Sequence, residues 1–399
     1  MGNEIVSKDK ILARLRPKSP IFVSMPSQPL HIVSFDNPYP PVYGGVIDVF
    51  FKLKALHAIG FEIYLHCFVD QLPVDTTELE KYTTRLYWYP RSKNVLKLLA
   101  STPFSVGSRY HESIVGNIAS VDAPVLFEGL QPTFVLRKHA LAGQKKFLRL
   151  MNIESDYYGG LSGSERNLIK KVLYGFESRK YVRYQKTMAD FENVFTLSVH
   201  ETDYVAQRYG NAVYVPVFHG NTRVASLSEF GDYAFYNGDL RLADNQRAAL
   251  FLIDVFRALP DIKLVIASDH GKRLIERAIG DASNIEHTTI RDAKHFDELM
   301  AGAHVCVMLS FQQSGTKLKA VNALYKSRHC LINANMIDDP GVRGLCTMAS
   351  TKSEFIGAVK RLSEVPYRDS ENRQKVLDAV LNDQKNAQKL AEMIVKKGA

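Results

Sequence analysis

Cysteine is scarce and scattered, with only Cys67, Cys306, Cys330 and Cys346 in 399 residues. That is too few for a disulfide framework, and no CxxC pair exists to seed a structural zinc site. No apolar run approaches the roughly 18–20 residues that a membrane-spanning helix needs. The first residues lack the basic-then-apolar layout of a secretory signal, so the chain reads as cytoplasmic. A GxxxxGK[ST] segment is absent, which counts against a P-loop NTPase. No GxGxxG is followed by an acid at dinucleotide spacing, which excludes a nicotinamide cofactor. What remains is ordinary globular material, 46% hydrophobic and 23% charged. At about 100–200 residues per domain the length suits two or three domains.

Acid is in deficit as well: 42 Asp and Glu face 51 Lys and Arg, a net charge of +9. Two stretches carry much of the excess. Arg137 to Arg149 holds Arg137, Lys138, Lys145, Lys146 and Arg149 without an acid. Lys170 to Lys186 holds six cations against Glu177 alone. Each reads either as a solvated helix face or as a footing on an anionic membrane surface. Nucleic acid is not expected, because no nucleic-acid motif accompanies the charge.

Residues 1–28 form a proline-containing lead-in. A rhythm then begins: strand 31–35, a Pro- and Gly-rich loop, helix 46–59 stopped by Gly60, and strand 62–68. That is a βαβ unit, the building block of a parallel sheet. Short apolar runs at 123–127, 146–150, 193–197 and 212–216 continue it. The rhythm restarts with strand 233–236, helix 245–259, strand 262–267, helix 272–279, a strand from 285, helix 293–301, strand 304–309 and strand 330–333. Residues 371–396 read as one long amphipathic helix. The pattern predicts two Rossmann-like, doubly wound α/β domains facing a cleft, at 29–218 and 219–368. The segment 369–399 would be a terminal helix packed back on the first domain. In such sheets ligands sit beyond the carboxyl ends of the strands.

Two loops fit anion binding at a helix start. Asn37-Pro-Tyr-Pro-Pro-Val-Tyr-Gly44-Gly45 opens the first helix, and its glycines permit close backbone approach. Ser310-Phe-Gln-Gln-Ser314-Gly315-Thr316-Lys317-Leu318-Lys319 follows a strand and enters a helix that carries Asn322. Its amides, the Thr316 hydroxyl and Lys317 suit a diphosphate. Lys317 and Lys319 are two apart and point in different directions on the helix, so one can bind phosphate while the other meets solvent or a neighbouring loop. Glu128, at the carboxyl end of a strand, and His200 are candidates to orient or deprotonate an acceptor hydroxyl.

Taken with Ser327-Arg328-His329-Cys-Leu-Ile-Asn333, the 310–325 segment resembles the donor-binding motif of GT-B glycosyltransferases. The likeness is to the family-four-like group of bacterial surface-polysaccharide biosynthesis. Phe35 to Val46 resembles that group's acceptor-side glycine loop. Leu150-Met-Asn152-Ile-Glu154 resembles its His-Asn-x-Glu element, and Leu197-Ser-Val-His-Glu-Thr-Asp203 its Ser-x-x-Asp segment. Tyr236-Asn-Gly238-Asp239 and Asn245 resemble the start of the donor domain. The likeness spans about residues 30–365. Ser314 and Asn322 stand where the group often has glutamates, and Met151 stands where it has histidine.

The resemblance implies a hexosyltransferase-like enzyme. It would move a sugar from a nucleotide-sugar, UDP- or GDP-linked, to a glycan or lipid-linked acceptor. The implied donor contacts are Gly238, Asp239, Asn245, Ser268, Thr289, Ser314, Gly315, Thr316, Lys317 and Lys319, with Asn322 at the ribose. Gly44, Gly45, Asn152 and Glu154 fall on the acceptor side, and Lys317, Glu128 and His200 are the catalytic candidates. No Asp-x-Asp pair stands at a strand end, so transfer is expected without a metal or resident cofactor, and the resemblance leans to retention. The basic stretches would sit against the inner face of the plasma membrane. Two other readings share the scaffold: a nucleotide-sugar epimerase, and a non-catalytic sugar-nucleotide or glycan-binding protein.

Overall fold

A computed structural model describes residues 27–165, 167–312, 316–368 and 370–395. The lead-in therefore lies outside the described residues except for its last two positions, as do Ser314 and Gly315. Two parallel sheets organise the molecule. The first has seven strands in the order β3-β2-β1-β4-β5-β6-β7. They are β1 (Gln28–Ser34), β2 (Phe61–Val69), β3 (Arg85–Pro90), β4 (Val125–Glu128), β5 (Lys146–Leu150), β6 (Asn193–Thr196) and β7 (Ala212–Tyr214). The second has six, in the order β10-β9-β8-β11-β12-β13. They are β8 (Tyr233–Asn237), β9 (Leu264–Ala267), β10 (Ile285–Thr288), β11 (Ala303–Met308), β12 (His329–Ile332) and β13 (Thr347–Met348).

The central strands are covered on both faces, so they read as continuous apolar runs rather than alternating ones. Ile32, Leu126 and Leu148 are wholly buried, and so are Ile266, Val307 and Leu331. In each sheet the winding reverses between the first and fourth strands, β1/β4 and β8/β11. Crevices open beyond the carboxyl ends of strands at such reversals. The loops after β1, β8 and β11 therefore define where a ligand would sit.

The helix α1 (Gly44–Ala58) follows β1 and turns an unusual face inward. Asp48 and Lys52, one helical turn apart, are both buried. They meet Arg149 of β5 and Glu128 of β4. Asp48 accepts from Arg149 Nη2 at 2.7 Å and Nε at 3.1 Å, and from Lys52 Nζ at 2.9 Å. Lys52 Nζ also donates to Glu128 Oε2 at 2.7 Å. Arg149 further donates to the carbonyls of Val215 and Pro216, which tie the first sheet to the strand leaving it. Two anions and two cations cancel, which is what allows four charges to share a dry interior.

The C-terminal segment is not one helix. It forms α7 (Ser370–Val380) and α8 (Asp383–Val395). The Asn382 side chain accepts from the Lys385 amide at 3.0 Å and starts a new helix where apolar spacing alone predicts continuity. α8 lies on α1, crossing back to the first lobe. The break places Asp383 against the linker between lobes, where it accepts from the amides of His219 and Gly220. Burial pushes the Asp383 carboxyl up to about 7.

Candidate functional site

A cavity of about 380 Å³ opens between the lobes at both reversal points. Gly44 and Gly45 line it from the loop after β1, Gly238 and Asp239 from the loop after β8, and Ser310 and Gln312 from the loop after β11. The remaining wall includes Asn152, Asn245 and the run Thr316–Lys319. Loops distant in sequence thus converge because both sheets point their carboxyl ends at one gap.

The first lobe offers a helix N-terminus. α1 begins at Gly44, and the first-turn amides of a helix carry partial positive charge. Gly45 has no room for a side chain: a Cβ there would stand 2.8 Å from the Phe35 ring. Across the gap, Leu318 lies 3.6 Å from where a Gly44 Cβ would be, so the lobes touch here.

The second lobe supplies cations. Lys319 donates to Asn245 Oδ1 at 3.1 Å, and its ammonium sits 5.0 Å from the Tyr236 ring centroid. Burial brings Lys319 down to about 8, with Asp244 opposing and Lys317 assisting. Burial also lowers Lys317, against the pull of Asp244 and Glu201. A pair of partly desolvated ammonium groups suits an anion better than water-exposed lysines do, because little solvent competes. Both lie at the start of α6 (Leu318–Lys326), which adds its own N-terminal amides. Thr316 donates to the Leu197 carbonyl at 3.4 Å, bridging the lobes.

Asp244, in the first turn of α5 (Ala243–Phe256), positions the β11 loop. It accepts from Ser310 Oγ at 2.8 Å and from the Phe311 amide at 2.9 Å. Sequence reasoning named its neighbour Asn245 and missed it, although an acid opening a helix beside a ligand loop was a usable signal. Asp48 was missed likewise, although its i,i+4 pairing with Lys52 inside an apolar helix marks a buried ion pair. Among the described residues, Asp48, Asp239 and Asp244 are the carboxylates lining the cavity. Each is engaged: Asp48 by Arg149 and Lys52, Asp239 by Arg241 at 2.8 Å, and Asp244 by the β11 loop.

Several expected site residues stand elsewhere. Glu128 does end its strand, yet it is wholly buried and locked to Lys52, so it does not face an acceptor. Burial raises its carboxyl while Lys52 pulls the other way. His200 opens α4 (Val199–Tyr209), outside the cavity lining, and its amide donates to Asp338 at 2.8 Å. Glu154 is buried below the cavity wall, accepting from Gln131 at 2.9 Å, and burial raises it to about 7. Ser268 is buried in a tight turn with His270, and Thr289 is exposed beyond β10, so neither lines the cavity. Asn322 accepts from Asn221 of the linker at 3.0 Å rather than facing the gap. Arg149 is the buried partner of Asp48, which removes it from the basic surface. Behind Lys317, buried Glu201 has no hydrogen-bond partner on either carboxylate oxygen, and burial lifts it to about 8.

No protein-family model matches the chain. An uncharacterised 44.6 kDa protein from the cps region of Klebsiella pneumoniae is 23% identical over 310 residues, 73% of this chain and 79% of that one. Solved structures align over nearly the whole length. Sucrose-phosphate synthase from Thermosynechococcus elongatus superposes with a TM-score of 0.65 at 13% identity, over 92% of this chain and 98% of that chain. Anabaena HepE in complex with UDP-glucose gives 0.63 at 13% identity, over 92% and 100%. The lipopolysaccharide outer core galactosyltransferase WaaB gives 0.57 at 12% identity, over 92% and 99%. With the two sheet orders, these likenesses establish that the chain has the GT-B fold.

Proposed function

We propose that the protein is a glycosyltransferase of the family-four-like kind. It would transfer a hexose from a UDP- or GDP-sugar to a glycan or lipid-linked acceptor. The observation that carries this is the pair of partly desolvated lysines, Lys317 and Lys319, lining one cavity with two helix N-termini. Glycosyl transfer from a nucleotide donor releases a diphosphate, so negative charge grows on the leaving oxygen. Fixed ammonium groups and amides aimed at that oxygen stabilise it without reorganising. In this reading Lys317, Lys319 and Thr316 hold the diphosphate, and Asn245, Gly238 and Asp239 border the sugar nucleotide. Gly44, Gly45 and Asn152 receive the acceptor. Transfer proceeds without a metal, and the engaged state of the three lining carboxylates favours retention, in which no enzymic base need take the acceptor proton. The relative from a cps region is consistent with a place in polysaccharide assembly.

A second reading, a sugar-nucleotide-binding protein without transfer, is favoured by Asn322, a neutral side chain turned to the linker. An epimerase shares the scaffold. A thermal-shift panel of UDP-, GDP-, ADP-, CMP- and dTDP-sugars, followed by product analysis with and without acceptor, separates the three. Transfer requires a shift for one nucleotide and a glycosylated acceptor. A shift with no chemistry leaves the binding reading, and a converted sugar without acceptor leaves the epimerase. Silence across the panel refutes the transferase and the epimerase and leaves a glycan-binding protein.

A further inference from the structure

One helix beside the site has a face that the fold leaves uncovered. The helix α2 (Glu154–Ser164) lines the cavity through Tyr157 and Leu161 and packs its other side on α3 (Leu168–Tyr184). Glycines set that close contact: a Cβ on Gly175 would stand 3.4 Å from Ser162 Oγ, and one on Gly159 3.6 Å from Ser178 Oγ. The Tyr158 and Tyr181 rings stack with centroids 5.3 Å apart.

At about 100° per residue, positions 174, 175, 178 and 181 form the covered side of α3. The opposite side carries Ile169, Val172, Leu173 and Phe176 in its first half and Arg179 and Arg183 in its second. Ile169 is 74% exposed and Phe176 54%. Arg179, Arg183 and Lys186 in the next turn are exposed too, as are Lys170 and Lys171 in the first turn of α3. The lone acid of α3, Glu177, is buried and neutralised by Lys180 at 2.7 Å. Lys180 also donates to the Leu98 carbonyl at 2.7 Å. That bond holds the turn Val95–Leu99 alongside, where Leu99 is 86% exposed.

We propose that this apolar and cationic face docks the protein on an anionic lipid surface. Single exposed apolar residues are ordinary, but a contiguous stripe marks a binding surface. Its charge selects the occupant. The core of a protein–protein interface is depleted of charge, whereas a stripe of leucine, isoleucine and phenylalanine running into arginines, with its one acid neutralised, is the layout of a segment lying in a headgroup layer. The inference does not depend on sugar transfer. Combined with that reading, it sets the lipid surface on the far side of α3 from α2, the helix that lines the cavity, and so favours a membrane-anchored acceptor.

The test is co-sedimentation of the full chain with vesicles of phosphatidylcholine alone or of equal parts phosphatidylcholine and phosphatidylglycerol. Binding is expected to the anionic vesicles only, and to weaken with salt. Each cation near an anionic leaflet strengthens binding about fivefold, so Arg179→Gln/Arg183→Gln/Lys186→Gln is expected to lose on the order of a hundredfold. Ile169→Gln/Phe176→Gln is expected to lose binding while melting like the parent, because these side chains are exposed. Failure of the parent to sediment, or a charge variant that sediments like the parent, overturns the proposal. So does a dimer that Phe176→Gln dissolves without any vesicle binding, which would assign the face to a second copy. Nucleotide binding measured on the same preparations keeps the two readings separate: retained nucleotide affinity with no vesicle binding refutes docking alone.

Discussion

Lys52 is the side chain whose loss should damage the first lobe most selectively. Its ammonium is fully buried and touches Asp48 at 2.9 Å and Glu128 at 2.7 Å. Lys52→Met leaves Asp48 held by the Arg149 fork, but strands Glu128, whose second oxygen already has no partner. Leaving one buried charge unpaired costs about 3–5 kcal/mol. For a lobe of this size, at roughly 2–4 °C per kcal/mol, the melting temperature should fall by roughly 6–20 °C. Adding Glu128→Leu removes the stranded charge and leaves the neutral Asp48–Arg149 pair. That double variant should recover to within about 1–2 kcal/mol of the parent, because apolar replacement of a whole buried pair is often nearly neutral. Calorimetric melting of the parent, single and double variants reads this directly. A single variant within about 2 °C of the parent, or a double variant no more stable than the single, would refute the reasoning. The same series decides the role of Glu128: Glu128→Gln should lower stability yet keep donor affinity, whereas a catalytic base would lose turnover with stability intact.

Three further outcomes follow from buried groups. Glu201 ionises near 4.5 when unfolded but near about 8 when folded, so the folded protein loses stability as pH rises between those values and no more above them. Glu201→Gln removes that dependence, and its advantage over the parent in urea unfolding should grow by about 1.4 kcal/mol per pH unit across the window; a pH-independent difference contradicts this. Gly220, at φ +76°, has no space for a Cβ, which would stand within 2.0 Å of the Phe51 ring. Gly220→Ala should therefore cost about 2–4 kcal/mol by overpacking and backbone strain, and a variant melting like the parent would show the linker free to move. In the first lobe the Val121 carbonyl only accepts, so His31 Nε2 carries its proton, His66 donates to His31, and Tyr89 donates to His66 at 2.8 Å. Tyr89→Phe strips that last donor and should cost about 1–3 kcal/mol. Burial holds both histidines below their ordinary value, so stability should fall as pH drops below 6.5, and flat stability there would contradict the relay.

Most strands were legible because doubly covered strands are uninterrupted apolar runs, as at Ile32-Val33 and Val125-Leu-Phe127, and the alternation of runs with helical spacing implied the winding; the edge strands β3 and β13 were not read, because they are only partly covered and carry no such run. The loops bearing Gly44, Gly238 and Thr316–Lys319 were legible for the same reason, since position after a strand and before a helix is a local property. Facing is not local. Glu128 was placed at its strand end, but its burial depends on Lys52 from a helix much earlier in the chain. Asn322 was placed on its helix, but the linker residue Asn221 decides where it turns. The break at Asn382 was hidden because apolar spacing runs through it, and only the capping bond to Lys385 reveals a new helix. The bare stripe of α3 was hidden because such spacing normally marks a face turned to the core.

The central claim is that a nucleoside diphosphate sugar binds between the lobes against Lys317 and Lys319. Calorimetric titration of UDP- and GDP-sugars into the parent and into Lys317→Ala tests it most directly. The account predicts saturable binding of one nucleotide class, accompanied by proton uptake near pH 8 as the anion restores the Lys319 charge, and loss of most affinity in the variant. Absence of binding by the folded parent, or affinity unchanged in Lys317→Ala, would contradict it.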